Sequence, residues 1–269
     1  MITNLKNKVA IVTGGAGALG GTMASGLAKQ GVKVVILGRT EKTVQAKVEG
    51  IKNEGGDALG LIADVLDRKQ LETARDQVLE EWNKIDVLVN AAGGNMRGAT
   101  IMPEDNFFDM NMADFDAVTK LNLKGTVLPT IIFGEQMAKQ GEGNVINISS
   151  MAAQQALTRV VGYSTSKASI DIFTKWLAVE MAQKHSEKIR VNAIAPGFFI
   201  GEQNRRLLLN EDGSLTARGK TIVSNTPMKR FGEAKELLST LYWLCNDDSS
   251  FITGVVVPVD GGFSAFSGV

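Results

Sequence analysis

Residues 8–38, KVAIVTGGAGALGGTMASGLAKQGVKVVILG, decide how the chain is read. Lys8 to Thr13 is a short β-branched, apolar run that stops at a glycine-rich turn, Gly14-Gly15-Ala16-Gly17-Ala18-Leu19-Gly20. The period then changes, because TMASGLAKQ carries apolar residues at helical spacing and Gly31 ends the run. KVVILG follows as a second strand. In this order the four pieces make a βαβ unit. The turn lets the backbone approach a pyrophosphate, whose charge meets the unpaired N–H groups at the helix start.

The alternation continues outward from this unit. EKTVQAKVEGIKNEGG reads as an amphipathic helix, DALGLIAD as a strand, RKQLETARDQVLEEWNK as a helix and IDVLVNAAGG as a fourth strand. VINISS, KIRVNAIAPG and GVVVPVDGG supply three more strands, with helical text between them and AKELLSTLYWLCNDDSS as the last helix. Alternation at this spacing predicts an α/β fold: one domain over residues 1–269, with a doubly wound, parallel, seven-stranded sheet of Rossmann type and helices on both faces.

Ligands of such sheets lie beyond the carboxyl ends of the strands, which selects the candidate dinucleotide contacts. They are Gly14, Gly15, Gly17, Ala18, Leu19 and Gly20 in the turn, Arg39 and Thr40 after the second strand, and Asp64 and Val65 after the third. Asn90, Ala91, Ala92 and Gly93 close the fourth, where small side chains let a ribose lie on the backbone. Asp64 is placed to accept from an adenine amine. The second strand ends in Gly38, Arg39 and Thr40, with no acid for a ribose diol. Arg39 can instead stack on adenine and pair with a 2′-phosphate, which tilts the cofactor expectation from NAD toward NADP. The competing reading is a solvated arginine that starts a helix.

The chemistry sits in residues 149–167, SSMAAQQALTRVVGYSTSK, which end in Tyr-x-x-x-Lys within helical text. Tyr163 and Lys167 therefore share a helical face. A phenol has an ordinary pKa of about 10, and a neighbouring ammonium favours its phenolate, so the pair can exchange a proton with a carbonyl or alcohol. Ser150, at the end of a buried strand, can hold the same oxygen. Alone, a Tyr-x-x-x-Lys pair is common on helix surfaces; its setting gives it meaning.

Composition excludes more than it includes. The 29 basic and 29 acidic side chains cancel, so no global field favours nucleic acid, and no apolar run approaches the roughly 18–20 residues of a membrane span. The amino-terminal text lacks a secretory signal, so a soluble, cytoplasmic protein acting on a small metabolite is expected. A single histidine, His185, reads as a polar helix end, and a single cysteine, Cys245, as a packed thiol. A metal site is not expected from this ligand inventory.

Residues 94–112, rich in Met, Asn, Phe and acids, read as a long inserted loop beside the site, and residues 198–232 as a polar substrate lid. Between them, residues 113–140 read as one long helix around Asn122, with a break expected at Gly125 or Pro129. Ile170, Phe173, Trp176 and Leu177 read as core or subunit-interface residues. For an anionic substrate the first candidate is Arg205, closing with Gln203 and Asn204 over Ser150 and Tyr163, and Asn95 and Arg97 come next. Adjacent Arg205 and Arg206 read equally well as a solvated helix face.

Thr13-Gly14 with its glycine turn, Asn90 to Gly93, Asn122, Ser150, Tyr163-x-x-x-Lys167, Pro196-Gly197 and Val259 to Gly262 stand in one order that resembles the short-chain dehydrogenase/reductase family over nearly the whole chain. GRT, NAAGGN, APGFF with QNR, NEDG, TPM-x-RFGE and the ending VDGGFSAFSGV look like its D-mannonate oxidoreductase (fructuronate reductase) branch. Branches acting on gluconate, ribitol or other polyols share much of this text, and a 3-oxoacyl-carrier reductase is a further enzyme reading. A dinucleotide-sensing scaffold without chemistry is the non-enzyme alternative.

The resemblance implies hydride exchange between NAD(P) and a carbonyl carbon, with Tyr163 exchanging the proton. Lys167 would lower the tyrosine pKa and hold the nicotinamide ribose, Ser150 would polarise the carbonyl, and Asn122 would kink its helix to position a water. The family's spacing of thirteen residues selects Ser150 over Ser149. Pro196 and Gly197 would lie at the nicotinamide. The family often has a threonine where Gly201 stands, so the carboxamide contact would fall to backbone such as Ile200. Ala18 replaces the family's middle glycine, and a homotetramer is implied.

Overall fold

The computed structural model describes residues 4–201 and 204–268. Seven strands, β1 (Val9–Thr13), β2 (Lys33–Gly38), β3 (Ala58–Ile62), β4 (Val87–Asn90), β5 (Gly143–Ile148), β6 (Ile189–Pro196) and β7 (Val256–Val259), pair in parallel in the order β3-β2-β1-β4-β5-β6-β7. The order reverses between β1 and β4, and this opens a crevice at the carboxyl ends of those strands.

Alternate residues of each strand feed two cores, which is why the strands are apolar on both faces. Ala10, Val12, Val34 and Ile36 pack with α1 (Ala18–Lys29), α2 (Glu41–Asn53) and the carboxyl-terminal α9 (Leu238–Cys245). Val9, Ile11, Val35 and Leu37 pack on the other face with α3 (Arg68–Trp82), α5 (Gly125–Gln140) and α6 (Val161–Lys184). The doubly wound sheet expected from the sequence is present. Cys245 is buried in the first core, and burial pushes its thiol up to about 12. His185 caps the carboxyl end of α6. No helix among the described residues is long and apolar enough to cross a membrane.

The helix expected over residues 113–140 departs from its reading in an informative way. It is α4 (Met112–Thr119), one π-helical turn (Lys120–Lys124), and α5. The break is therefore at Asn122, where the family resemblance put a kink, while Gly125 starts α5 and Pro129 lies inside it. Asn122 Nδ2 donates to Val118 O at 2.8 Å and to Gly94 O at 2.7 Å, so a side chain bound to both its own helix and the inserted loop widens the turn. Near Pro129, the Thr126 and Thr130 hydroxyls donate to the carbonyls of Asn122 and Thr126 at 2.9 and 2.7 Å.

The described part of residues 198–232 is more ordered than a polar loop. It contains the short helix α7 (Arg205–Leu208), a bridge between Leu209 and Leu215, and α8 (Ala217–Asn225), whose start is capped by the Thr216 side chain. Leu208 and Ile222 are buried beneath them. On α6, Ile170 and Leu177 take the core half of the reading, while Trp176 is outside the core, being 59% exposed beside Ile172 and Val179 on the outer face.

One buried polar thread ties the second core together. Asn90 Nδ2 donates to Thr130 Oγ1 of α5 at 2.8 Å and to Asn147 Oδ1 of β5 at 2.9 Å. Asn147 Nδ2 donates to Thr174 Oγ1 of α6 at 2.9 Å, and Thr174 donates to Ile170 O at 2.8 Å. Thr174→Val keeps the shape and removes the hydroxyl, leaving the Asn147 amide buried without that partner. We expect a loss of about 1–3 kcal/mol in urea unfolding; an unchanged midpoint and slope would show that the thread carries no stability.

Candidate active site

Four expected residues meet at the carboxyl ends of β4 and β5. Ser150 follows β5, with its hydroxyl accepting from Ala152 N at 3.1 Å, and it also hydrogen-bonds toward the Tyr163 phenol. Tyr163 lies in the first turn of α6 and Lys167 one turn later on the same face, its Nζ 5.5 Å from the phenol ring centroid. Lys167 is buried and donates to Ile148 O at 2.6 Å, so its ammonium is tied to the end of β5. Asn122 Oδ1 accepts from Gly94 N at 3.2 Å, and a methyl added to Gly93 would fall 2.6 Å from that oxygen and 3.5 Å from Lys167 Nζ. Asn122, Gly93 and Lys167 thus converge.

The electrostatics differ from the expected division of labour. Burial pushes the Tyr163 phenol up, and the Ser150 hydrogen bond opposes it; a lowering by Lys167 is not among the causes. Lys167 itself is pushed down to about 8 by burial, opposed by the Asp171 carboxylate. Asp171 was missed in the sequence. It sits one turn beyond Lys167, is bonded to the Ser149 hydroxyl, and has its own carboxyl pushed up by burial, with Ser149 and Gln154 opposing. Its i+4 spacing from Lys167 was a legible signal. Ser149, set aside as the catalytic serine, is thus occupied with Asp171.

The glycine turn and the end of β4 form one surface. Thr13 Oγ1 accepts from both Ala91 N and Ala92 N, at 3.1 and 3.2 Å. Gly14 takes φ +62°, and a methyl there would stand 2.9 Å from Ala92 Cα; on Gly20 it would stand 2.5 Å from Gly14 O. These contacts close the turn tightly over β4. Gly17 caps α1 without a side-chain bond, so the first N–H groups of a twelve-residue helix face outward, beside Gly15 and half-buried Leu19. Ala18 is the first helical residue and is exposed, so its methyl replaces the family glycine without a clash. A dinucleotide pyrophosphate fits this cradle.

The remaining expected contacts are placed as follows. Arg39 is 69% exposed with Nη1 3.9 Å from Asp64 Oδ2, and Asp64 Oδ1 already accepts from Leu66 N at 2.9 Å. Thr40 is the exposed residue that precedes α2. Val65 is buried against Gly125, which leaves backbone for a ligand. Gly197 N donates to Val259 O at 3.0 Å, where a methyl would meet Asp260 Cα at 2.7 Å, so Pro196 and Gly197 are pinned beside the last strand. Past half-buried Ile200, a methyl added to Gly201 would reach Ala18 Cβ at 3.8 Å, so the lid begins over the glycine turn.

The expected substrate residues are less well assembled. Asn95 Nδ2 is spent on Thr100 Oγ1 at 2.8 Å, and Arg97 is exposed in a 3-10 turn. Arg205 is exposed on α7. Asn204 braces the lid's own backbone, accepting from Gly201 N and donating to Phe199 O, both at 2.8 Å. Gln203 lies outside the described residues.

Comparison with known proteins agrees with this geometry. A family model described as enoyl-(acyl carrier protein) reductase matches residues 14–264. An uncharacterised oxidoreductase of Bacillus subtilis, UxuB, is 46% identical over 99% of this chain and 98% of its own. A Haemophilus influenzae protein provisionally assigned as a D-mannonate oxidoreductase, solved with bound NAD, superposes with a TM-score of 0.92 at 40% identity, covering 99% of this chain and 98% of that one. An Agrobacterium tumefaciens protein provisionally assigned as a gluconate dehydrogenase superposes at 0.88 with 29% identity, over 98% of this chain and 99% of that one. The chain belongs to the short-chain dehydrogenase/reductase family, and it is an oxidoreductase that uses a nicotinamide dinucleotide.

Proposed function

We propose that the enzyme interconverts a ketone and a secondary alcohol on a sugar acid, with D-fructuronate and D-mannonate as the pair. The observation that carries the chemistry is the convergence of Ser150, Tyr163, Lys167 and Asn122 beside the glycine turn. The choice of sugar acid is supported by likeness to the Haemophilus protein. When bound, the dinucleotide supplies or accepts the hydride at the reacting carbon.

In reduction, Tyr163 gives its phenolic proton to the carbonyl oxygen as that oxygen gains negative charge, and Ser150 donates a hydrogen bond to the same oxygen. In oxidation Tyr163 takes the proton back. A phenol pushed up by burial is neutral at pH 7 and so begins reduction as the acid. Lys167, with its proton held near neutrality, can recharge Tyr163 and bind the nicotinamide ribose. Asn122 stiffens the floor of the site through Gly94 and offers its carbonyl, which already accepts from Thr126, to a relay water. Four chains assemble through the outer face of α6, where Ile172, Trp176 and Val179 are exposed in one stripe.

Tyr163→Phe should lower turnover about 10²–10⁴-fold while dinucleotide affinity, read by fluorescence titration, is retained. Near-normal turnover in the variant would remove Tyr163 from the proton transfer.

Lys167 gives a pH test of the buried ammonium. Its proton leaves the folded chain near pH 8 and the unfolded chain near the ordinary 10.5, so between those values the unfolded chain binds more protons and stability rises with pH. Below pH 8 the cost of burying the charge applies in full. The stability difference of Lys167→Met over wild type should therefore shrink as pH rises from about 8 to 10.5. A flat difference in chemical denaturation across that window would contradict the depressed value.

We assign cofactor choice to Arg39, which leans toward Asp64 at 3.9 Å yet stays exposed enough to meet a 2′-phosphate. Both dinucleotides are accepted, with NADP favoured. Arg39→Ala should raise KM for NADP about tenfold and leave KM for NAD within about twofold, in line with the loss of one partly screened charge pair. Equal effects on both cofactors would place Arg39 outside the site.

A further inference from the structure

The proposed reaction leaves the substrate carboxylate without a receptor, since Arg205 stands exposed on α7. The distribution of arginines locates one. Of ten arginines in the chain, Arg39, Arg68, Arg75 and Arg230 pair with acids, and Arg190 donates to the carbonyls of Asn246 and Ile252. Arg97, Arg159, Arg205, Arg206 and Arg218 have no carboxylate at ion-pair distance among the described residues. All five lie on the inserted loop, the loop before Tyr163, or the lid.

Only two of these five, Arg159 and Arg218, are half-buried. Arg218 Nη1 on α8 donates to Thr158 Oγ1 at 3.3 Å, which brings the lid helix onto the residue next to Arg159. The two guanidiniums are close enough to repel: Arg218 is pushed below its ordinary value first by burial and then by the Arg159 charge. Two like charges, partly desolvated and lacking an acid, are unfavourable until an anion joins them.

The backbone at Arg159 gives an independent indication. Its φ is +79°, a left-handed conformation that non-glycine residues seldom adopt. It is held there because its carbonyl accepts from Ile101 N of the inserted loop at 2.9 Å, while α6 begins two residues later. Arg159 is therefore positioned by both the inserted loop and the helix that carries Tyr163.

We propose that Arg159 and Arg218 form the receptor for the carboxylate of the sugar acid, gripping it between the lid, the inserted loop and the start of α6. Each guanidinium can take carboxylate oxygens through its planar donors, so the pair fixes which end of the sugar faces away from Tyr163. This assignment rests on the sugar-acid reading above and replaces Arg205 in it. The carboxylate neutralises the two charges, which couples substrate binding to docking of α8 on Thr158.

The test uses the purified full chain with saturating NADPH and D-fructuronate, comparing wild type with Arg218→Gln, Arg218→Lys and Arg159→Asn. Asparagine accepts the left-handed backbone, so that variant removes the guanidinium without disturbing the loop. Arg218→Gln and Arg159→Asn should raise KM about tenfold to a hundredfold, the loss of one charge-assisted bond, with a far smaller change in kcat and unaltered NADPH affinity. Arg218→Lys should fall between them and wild type. An unchanged KM, or a fall in kcat and cofactor affinity together with it, would overturn the receptor and leave the sugar-acid reaction standing.

If wild type reduces no sugar acid, the proposed reaction fails and the receptor is judged by calorimetry, titrating the NADPH complex with D-glucuronate and D-glucose. Binding selective for the carboxylate and weakened in Arg218→Gln would support it, whereas binding without that selectivity would overturn it. Fructose 6-phosphate as a further titrant separates a carboxylate receptor from a phosphate one: tighter phosphate binding counts against the assignment.

Discussion

The arrangement depends on a short run of buried hydrogen bonds between Asn90 and Asn147, two side chains held opposite each other by the register of β4 and β5. One end of the run reaches Thr130 on α5 and the other Thr174 on α6. In an apolar core these amides tolerate few partners, so the bonds specify one placement of the two helices where hydrophobic packing alone would accept several. Asn122 and Lys167 stand on the continuation of those helices toward the carboxyl edge of the sheet. The geometry of the site is thus set by a polar connection in the layer beneath it.

Above that layer, burial supplies most of the chemical tuning. The phenol and the ammonium are both shifted toward their uncharged forms, the phenol upward and the ammonium down to about 8, which makes the ammonium the stronger acid of the pair. Ser150 and Asp171 oppose these shifts from either side, the first at the phenol and the second at the ammonium. The glycine turn contributes by shape rather than charge, bringing backbone donors close to the ends of β1 and β4.

The segments proposed to face the substrate follow a different logic. The inserted loop, the loop before Tyr163 and the lid are joined by hydrogen bonds from Ile101 to Arg159 and from Arg218 to Thr158. Several of their cations, Arg159 and Arg218 among them, have no acid at ion-pair distance among the described residues, which suits a surface whose partner is an anionic small molecule. A family that shares one sheet and one proton-transfer site can change substrates by altering such connecting segments.

Local spacing determined much of what could be read from the chain itself. The β1-turn-α1 unit, the shared face of Tyr163 and Lys167, and the alternation that makes the sheet parallel all follow from backbone periods of two and 3.6 residues, which hold wherever the segment sits. Tertiary contact decided the rest. Gly125 and Pro129, the residues that weaken a helix by themselves, do not make the break; it forms at Asn122, the residue singled out by the family resemblance, because Gly94, distant in sequence, takes that side chain. Helical spacing left Trp176 open between core and subunit interface, and only the fold excludes the core, because the sheet occupies the opposite side of α6. Arg205 was a reasonable choice among lid cations, whereas Arg159 and Arg218 stand out only once the lid folds back on Thr158, sixty residues away. Periodicity is a property of one segment, and a pair of charges brought together by two loops is a property of the folded chain.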